Sequence, residues 1–209
     1  SILKSPKKVL SIIQQEVQEI KSLYGNDRRT KIIAHGVKEF TVEDLVPNEP
    51  TIIMATHDGY IKRMPVDTFK QQARGGKGVI GLTTKEEDVV EHLRSTNTHD
   101  NMLFFTTRGR VFQLRAYDIP VASRTSKGQA LVNFLQLAPN EKVSSILSMD
   151  DVSKYEYLVM VTNKATIKKT KLKDFDNVRR SGLIALKLKS DEMLEWVRPS
   201  SGKDDLMLI

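Results

Sequence analysis

Ile52-Ile53-Met54-Ala55-Thr56-His57-Asp58-Gly59-Tyr60-Ile61-Lys62-Arg63 is a pattern that the chain writes three times. It returns as Leu103-Phe104-Phe105-Thr106-Thr107-Arg108-Gly109-Arg110-Val111-Phe112-Gln113-Leu114, and again as Leu158-Val159-Met160-Val161-Thr162-Asn163-Lys164-Ala165-Thr166-Ile167-Lys168-Lys169. Each copy reads as an apolar strand, a polar turn and a second strand with basic residues toward its end, which is a hairpin signature. Aligned in this way, Thr56, Thr107 and Thr162 lie 51 and 55 residues apart.

Beyond the hairpins, a glycine follows each threonine after 20 to 22 residues (Gly78, Gly128, Gly182), and an apolar segment follows each glycine. A closing apolar strand is expected near residues 89–93, 143–147 and 193–197. About four short strands in a period of about 50 residues is the pattern of a propeller blade, which buries its faces against its neighbours. The fold expected is mainly β, a propeller-like ring of four-stranded repeats at about 49–97, 98–152 and 153–200. Asp205-Leu206-Met207-Leu208-Ile209 matches the opening strand of a fourth repeat from about 201, and residues 206–209 are expected to complete the third unit.

Ahead of the repeats, Ser5-Pro6 reads as a helix N-cap with proline at the first helical position, and Gly25-Asn26 as its stop. Leu10, Ile13, Val17, Ile20 and Tyr24 alternate spacings of three and four, an a/d seam that expects a partner helix. Residues 1–34 therefore form a helical segment carrying +4. Residues 35–48 read as a linker with one short ordered turn, and the stretch 35–50 carries −3 through Glu39, Glu43, Asp44 and Glu49 against Lys38. The chain does not open on Met and is read as a piece of a larger protein.

Charge falls into step with the repeat. The windows from each threonine to two residues past its glycine carry +3, +4 and +5, whereas the whole chain is +7, so the remainder is acidic. A basic position repeated in every blade becomes a stripe once the blades stack, the electrostatic footprint of a polyanion track. The candidate contacts on the hairpins are Lys62, Arg63, Arg108, Arg110, Arg115, Lys164, Lys168, Lys169 and Lys171. No cysteine is present, so disulfides and thiolate metal sites are excluded, which is compatible with a cytoplasm. The four histidines show no metal-ligand spacing, and no apolar run reaches the length of a membrane helix. No nucleotide loop or Ser/His/Asp set offers a catalytic chemistry.

Gln72-Ala73-Arg74-Gly75-Gly76-Lys77-Gly78 sets three glycines among two cations, so backbone amides can approach a phosphate that Arg74 and Lys77 neutralise. The string resembles the gyrase A box, Q-[RK]-R-G-G-[RK]-G, at six of seven positions, with Ala73 in place of a second cation. Arg124-Thr125-Ser126-Lys127-Gly128 and Val178-Arg179-Arg180-Ser181-Gly182 are relics of it in the later repeats. Asp58-Gly59-Tyr60-Ile61, Arg108-Gly109-Arg110-Val111 and Ala165-Thr166-Ile167-Lys168 are similar to blades of the same family's C-terminal domain. Tyr24-Gly25 and Arg28-Arg29-Thr30 are similar to the end of its breakage–reunion core.

The resemblance covers essentially the whole chain. It implies a β-pinwheel that wraps double-stranded DNA in a type IIA topoisomerase of the bacterial cytoplasm. Gln72, Arg74, Gly75, Gly76, Lys77, Gly78, Arg124, Lys127, Arg179 and Arg180 would join the DNA contacts. It also implies a gyrase B partner, with ATP and Mg acting outside this chain and no cofactor within it. The family's catalytic tyrosine follows an arginine; the five tyrosines here follow Leu23, Gly59, Ala116, Lys154 and Glu156, so none matches. The alternatives are a propeller that scaffolds acidic protein partners and the C-terminal domain of a topoisomerase IV A subunit. RNA binding is disfavoured because the strands carry no aromatic stacking set.

Overall fold

The computed structural model describes residues 4–26, 29–30, 42–68 and 88–207, and the chain falls into two compact units, Ser1–Phe40 and Thr41–Ile209. The first unit holds helix α1 (Pro6–Tyr24). Ser5 stands at its N-cap and its carbonyl accepts from the Lys8 and Val9 amides, but its side chain makes no capping bond. Gly25 closes the helix through its amide to the Lys21 carbonyl, 2.8 Å. No residue of α1 is buried: Leu10, Ile13, Val17, Ile20 and Tyr24 all stand exposed.

The second unit opens with a single turn, α2 (Val42–Leu45), within the acidic stretch. Three antiparallel sheets follow. The first is built from β1 (Pro50–Thr56), β2 (Tyr60–Pro65) and β3 (Val90–Asn97). The second contains β4 (Asn101–Thr106), β5 (Arg110–Arg115) and β7 (Val143–Ser148). The third contains β8 (Tyr157–Thr162), β9 (Ile167–Lys171) and β11 (Leu194–Ser200), after the short helix α3 (Met149–Val152).

The remaining two strands are exchanged between repeats. β6 (Gln129–Ala130) belongs by sequence to the second repeat but pairs with β2, giving the order β3-β1-β2-β6. β10 (Leu183–Ile184) belongs to the third repeat but pairs with β5, giving β10-β5-β4-β7. Each of these repeats thus keeps three strands and lends the segment after its glycine to the preceding blade. The lent strand is short because the chain turns at once into the core. The Leu131 amide bonds to Gly59 O at 2.8 Å, and the Ala185 and Leu186 amides bond to Gly109 O at 2.9 and 3.0 Å.

This exchange, seen in the first two blades, differs from the expectation that an opening strand, residues 206–209, completes the third unit. In those two blades the completing strand comes from the segment after the next repeat's glycine, not from the next opening strand. Asp205-Leu206-Met207 adopt no regular structure, Leu206 and Met207 are exposed, and residues 208–209 lie outside the described residues. Among the described residues the third sheet is three-stranded, β11-β8-β9.

Two apolar layers hold the blades together, and β4 supplies both because successive side chains of a strand point to opposite faces. Met102 and Phe104 face the first sheet in a cluster with Ile53, Ala55, Ile61 and Phe112. Leu103 and Phe105 face the third sheet with Leu158, Met160, Phe175 and Val197. A strand buried on both faces reads as a continuous apolar run, which is why Met102-Leu103-Phe104-Phe105 shows no alternation.

The register also corrects the repeat alignment in its second copy. The hydroxyls of Thr56, Thr106 and Thr162 accept the amides of Tyr60, Arg110 and Thr166 at 3.2, 3.3 and 3.1 Å. Thr106, not Thr107, is the equivalent residue, and Gly109 takes the place of Gly59. In a strand a shift of one residue exchanges the faces, so the correction decides which side chains share an environment. Lys62, Phe112 and Lys168 become equivalents, paired across their hairpins with Met54, Phe104 and Met160.

Candidate nucleic-acid interface

Each hairpin is tied down by a buried carboxylate that comes just before the closing strand. Glu141 accepts from the Thr106 hydroxyl at 2.6 Å, from the Ala138 amide at 2.8 Å and from Arg110 Nε at 2.9 Å, with a second contact to Arg110 Nη2. Burial alone would raise the Glu141 pKa, but the bonds from Arg110, Thr106 and the Ala138 amide outweigh it and hold the carboxyl below its ordinary range. Glu192 repeats the arrangement with Thr166, Thr162 and the Lys189 amide, and the bonds led by Thr166 depress its pKa too. In the first blade the buried Asp88 accepts the Asp58 amide at 3.1 Å. A count of charge by window merges these acids into the background. Their recurrence at 88, 141 and 192, directly ahead of β3, β7 and close to β11, is the signal that sequence reasoning missed.

These ties sort the expected contacts. Arg110 is engaged by Glu141, by Gln136 O at 2.8 Å and by the Phe112 ring, whose centroid lies 4.8 Å from the guanidinium. Lys62 is not presented outward at all: it is 3% exposed, and its ammonium donates to the carbonyls of Ser123, Arg124 and Ser126 at 3.1, 2.8 and 2.7 Å. Burial pushes its pKa below the ordinary lysine value. The structure therefore gives Lys62 a different task, seating the loop of the second repeat on the first blade. Arg63 is also turned inward, donating from Nε to Ile119 O at 3.1 Å, and its backbone forms an isolated parallel bridge with Val121.

The seated loops carry the relic boxes. Gly128 and Gly182 both have φ +84°, a left-handed conformation that favours glycine. A Cβ on Gly128 would stand 2.5 Å from Ile61 O, and one on Gly182 2.8 Å from the Phe112 ring. Close approach and backbone conformation thus both demand glycine where each loop crosses the preceding blade.

The crossing brings cations from separate repeats together. Arg124 and Lys127 reach the outer edge of the first sheet, where Lys127 Nζ sits 3.7 Å from the centroid of the Tyr60 ring. Arg179 and Arg180 occupy the same edge of the second sheet and are exposed. There Arg180 and Arg115 line one open cleft with Gln113, whose side chain accepts the Val178 amide at 3.3 Å.

The remaining cations lie elsewhere on the hairpins. Arg108 is exposed on its turn and donates to Pro139 O at 2.8 Å. On the third hairpin Lys164, Lys168, Lys169 and Lys171 are exposed; Lys168 donates to Ala185 O at 2.7 Å and Lys169 lies 4.6 Å from the Tyr157 ring centroid. Gln72, Arg74, Gly75, Gly76, Lys77 and Gly78 lie outside the described residues. Among the described residues no helix is long and apolar enough to cross a membrane.

These features define a repeat domain of antiparallel blades in which, among the described residues, the first two are completed to four strands by exchange and each of those two carries a basic loop on its edge. The chain belongs to the DNA gyrase C-terminal domain family, a beta-propeller, whose match covers residues 50–97, 100–148 and 156–201. The DNA gyrase A protein of Clostridium acetobutylicum is 46% identical over all of this chain, and that of Halalkalibacterium halodurans is 40% identical. The chain spans about a quarter of the length of these relatives. Among solved structures, the C-terminal domain of DNA topoisomerase IV superposes with a TM-score of 0.63 at 26% identity, covering 75% of this chain and 47% of that one. A DNA gyrase A C-terminal domain gives 0.53 at 25% identity, covering 70% and 46%.

Proposed function

We propose that this chain binds and bends duplex DNA along its basic loops, as part of the A protein of a gyrase in the bacterial cytoplasm. The observation that carries the reading is the exchange itself. Because the Gly128 and Gly182 loops each lie on the preceding blade, Arg124 and Lys127 on one sheet and Arg179 and Arg180 on the next recur at equivalent edges, one blade apart. Cations repeated at a fixed step suit a polymer of evenly spaced phosphates, and no recognition helix is present among the described residues to read base edges. The glycine-rich Gln72–Gly78 string would add a clamp in the first repeat, through Arg74 and Lys77.

In this reading the catalytic tyrosine and the ATPase lie outside this chain, the latter on a gyrase B partner, and the wrap directs strand passage toward negative supercoils. The box and the sequence relatives favour gyrase over topoisomerase IV. A direct test is the binding of mixed-sequence duplexes over a range of salt. Affinity should be nearly independent of sequence and fall with a log–log slope of about −0.9 for each phosphate neutralised. A flat salt dependence, or marked preference for one duplex, would reject the reading.

A further inference from the structure

Arg115, a candidate phosphate contact, is met by a carboxylate from outside the repeats. Its Nη2 lies 3.4 Å from Glu43 Oε2 on α2, and its Nη1 donates to His99 O at 2.7 Å. The acidic strap is held by more than that pair. The Thr98 hydroxyl donates to Pro47 O at 2.6 Å and accepts the Glu49 amide at 3.0 Å, and the His99 amide donates to Asn48 Oδ1 at 3.3 Å. His99 Nε2 meets Val46 O at 2.6 Å. A carbonyl only accepts, so Nε2 carries the proton and Nδ1 faces Glu43 Oε1, 3.8 Å away.

Residues 46–49 are thus fixed by neutral hydrogen bonds, whereas Glu43 on α2 meets the blade through its carboxylate. A guanidinium that takes a carboxylate in this geometry takes a phosphate equally well. Arg115 also lines the cleft it shares with Arg180, so this position continues the basic edge.

We infer that Glu43 stands in for a DNA phosphate at Arg115, so that duplex binding and the Glu43–Arg115 pair compete for one site. The inference rests on the proposed DNA binding. Engaging a phosphodiester there exchanges Glu43 for the ligand at Arg115, while residues 46–49 keep their bonds to Thr98 and His99.

The test is a double-mutant cycle in the 209-residue chain, read by duplex affinity and by the His99 ring resonances. Glu43→Gln should tighten duplex binding about two- to fivefold, the scale of a half-exposed ion pair. The same change in an Arg115→Ala background should have no effect on affinity. Without DNA, Glu43→Gln should shift the His99 ring signals, and a short duplex added to the unaltered protein should shift them the same way. Equal tightening with and without Arg115, or none at all, would overturn the inference while leaving DNA binding intact. Absence of duplex binding by the unaltered protein would remove the proposed function and this inference with it.

Discussion

The loops at residues 123–128 and 178–182 do the same job on neighbouring blades and are held by opposite chemistry. On the first blade Lys62 reaches into the loop and donates to three of its carbonyls. On the second blade the equivalent position is Phe112, buried to 1%, and the loop packs Gly182 against its ring. One loop is hung on a charge and the other rests on an apolar face. The comparison shows that the repeat keeps where the loop sits, not the interaction that holds it there. It also shows that a basic residue at the end of a hairpin is no guide to a ligand contact, since Lys62 uses its charge inside the molecule.

Phe112→Ala breaks the comparison most severely. Removing a fully buried ring costs about 3–5 kcal/mol, and Phe112 also belongs to the layer between the first two sheets. Chemical denaturation should show a loss of that size, with amide exchange rising across both blades. Lys62→Met keeps the stem that packs against the blade and removes only the donor. Charged hydrogen bonds contribute about 1.5–3 kcal/mol each when buried, but the freed carbonyls here are half exposed and turn to water. The expected loss is about 2 kcal/mol, with exchange rising at residues 123–128 and unchanged at 178–182. Equal loosening of both loops would mean that Lys62 is not a local tether.

The second hairpin adds a pH-dependent element. Glu141 has a folded pKa below its unfolded one, so it stabilises the fold above the unfolded value of about 4.3, and that contribution disappears as pH falls through the folded value. Thermal stability should therefore decline on acidification below about pH 4. Glu141→Gln should cost about 2 kcal/mol at neutral pH and less as the pH is lowered. A loss that stays constant across that range would show that the carboxylate charge contributes nothing.

Much of this was legible in the sequence. Apolar runs, turn residues and a recurrence of about 50 residues are local features, so the repeat, α1 and the three closing strands could be read directly. The tandem Thr106-Thr107 offered two alignments, and only backbone pairing with Arg110 decides between them. Strand exchange was hidden because β6 and β10 are two residues each, too short for any periodicity, and their partners lie some 70 residues upstream. Lys62 was misplaced for a related reason: what buries it is a loop 61 to 64 residues further along the chain. Charge and a partial motif mark Arg124, Lys127, Arg179 and Arg180 in the sequence. Their positions on neighbouring blades required the fold.

If the two seated loops are successive steps of one phosphate track, the salt dependence of duplex binding reports on each loop separately. Arg124→Ala with Lys127→Ala, and separately Arg179→Ala with Arg180→Ala, should each reduce the log–log salt slope by about 1.8, or 0.9 per phosphate contact. Combining all four changes should reduce it by about twice that amount. A slope unaffected by either pair, or fully reduced by one pair and untouched by the other, would contradict a track that steps from blade to blade.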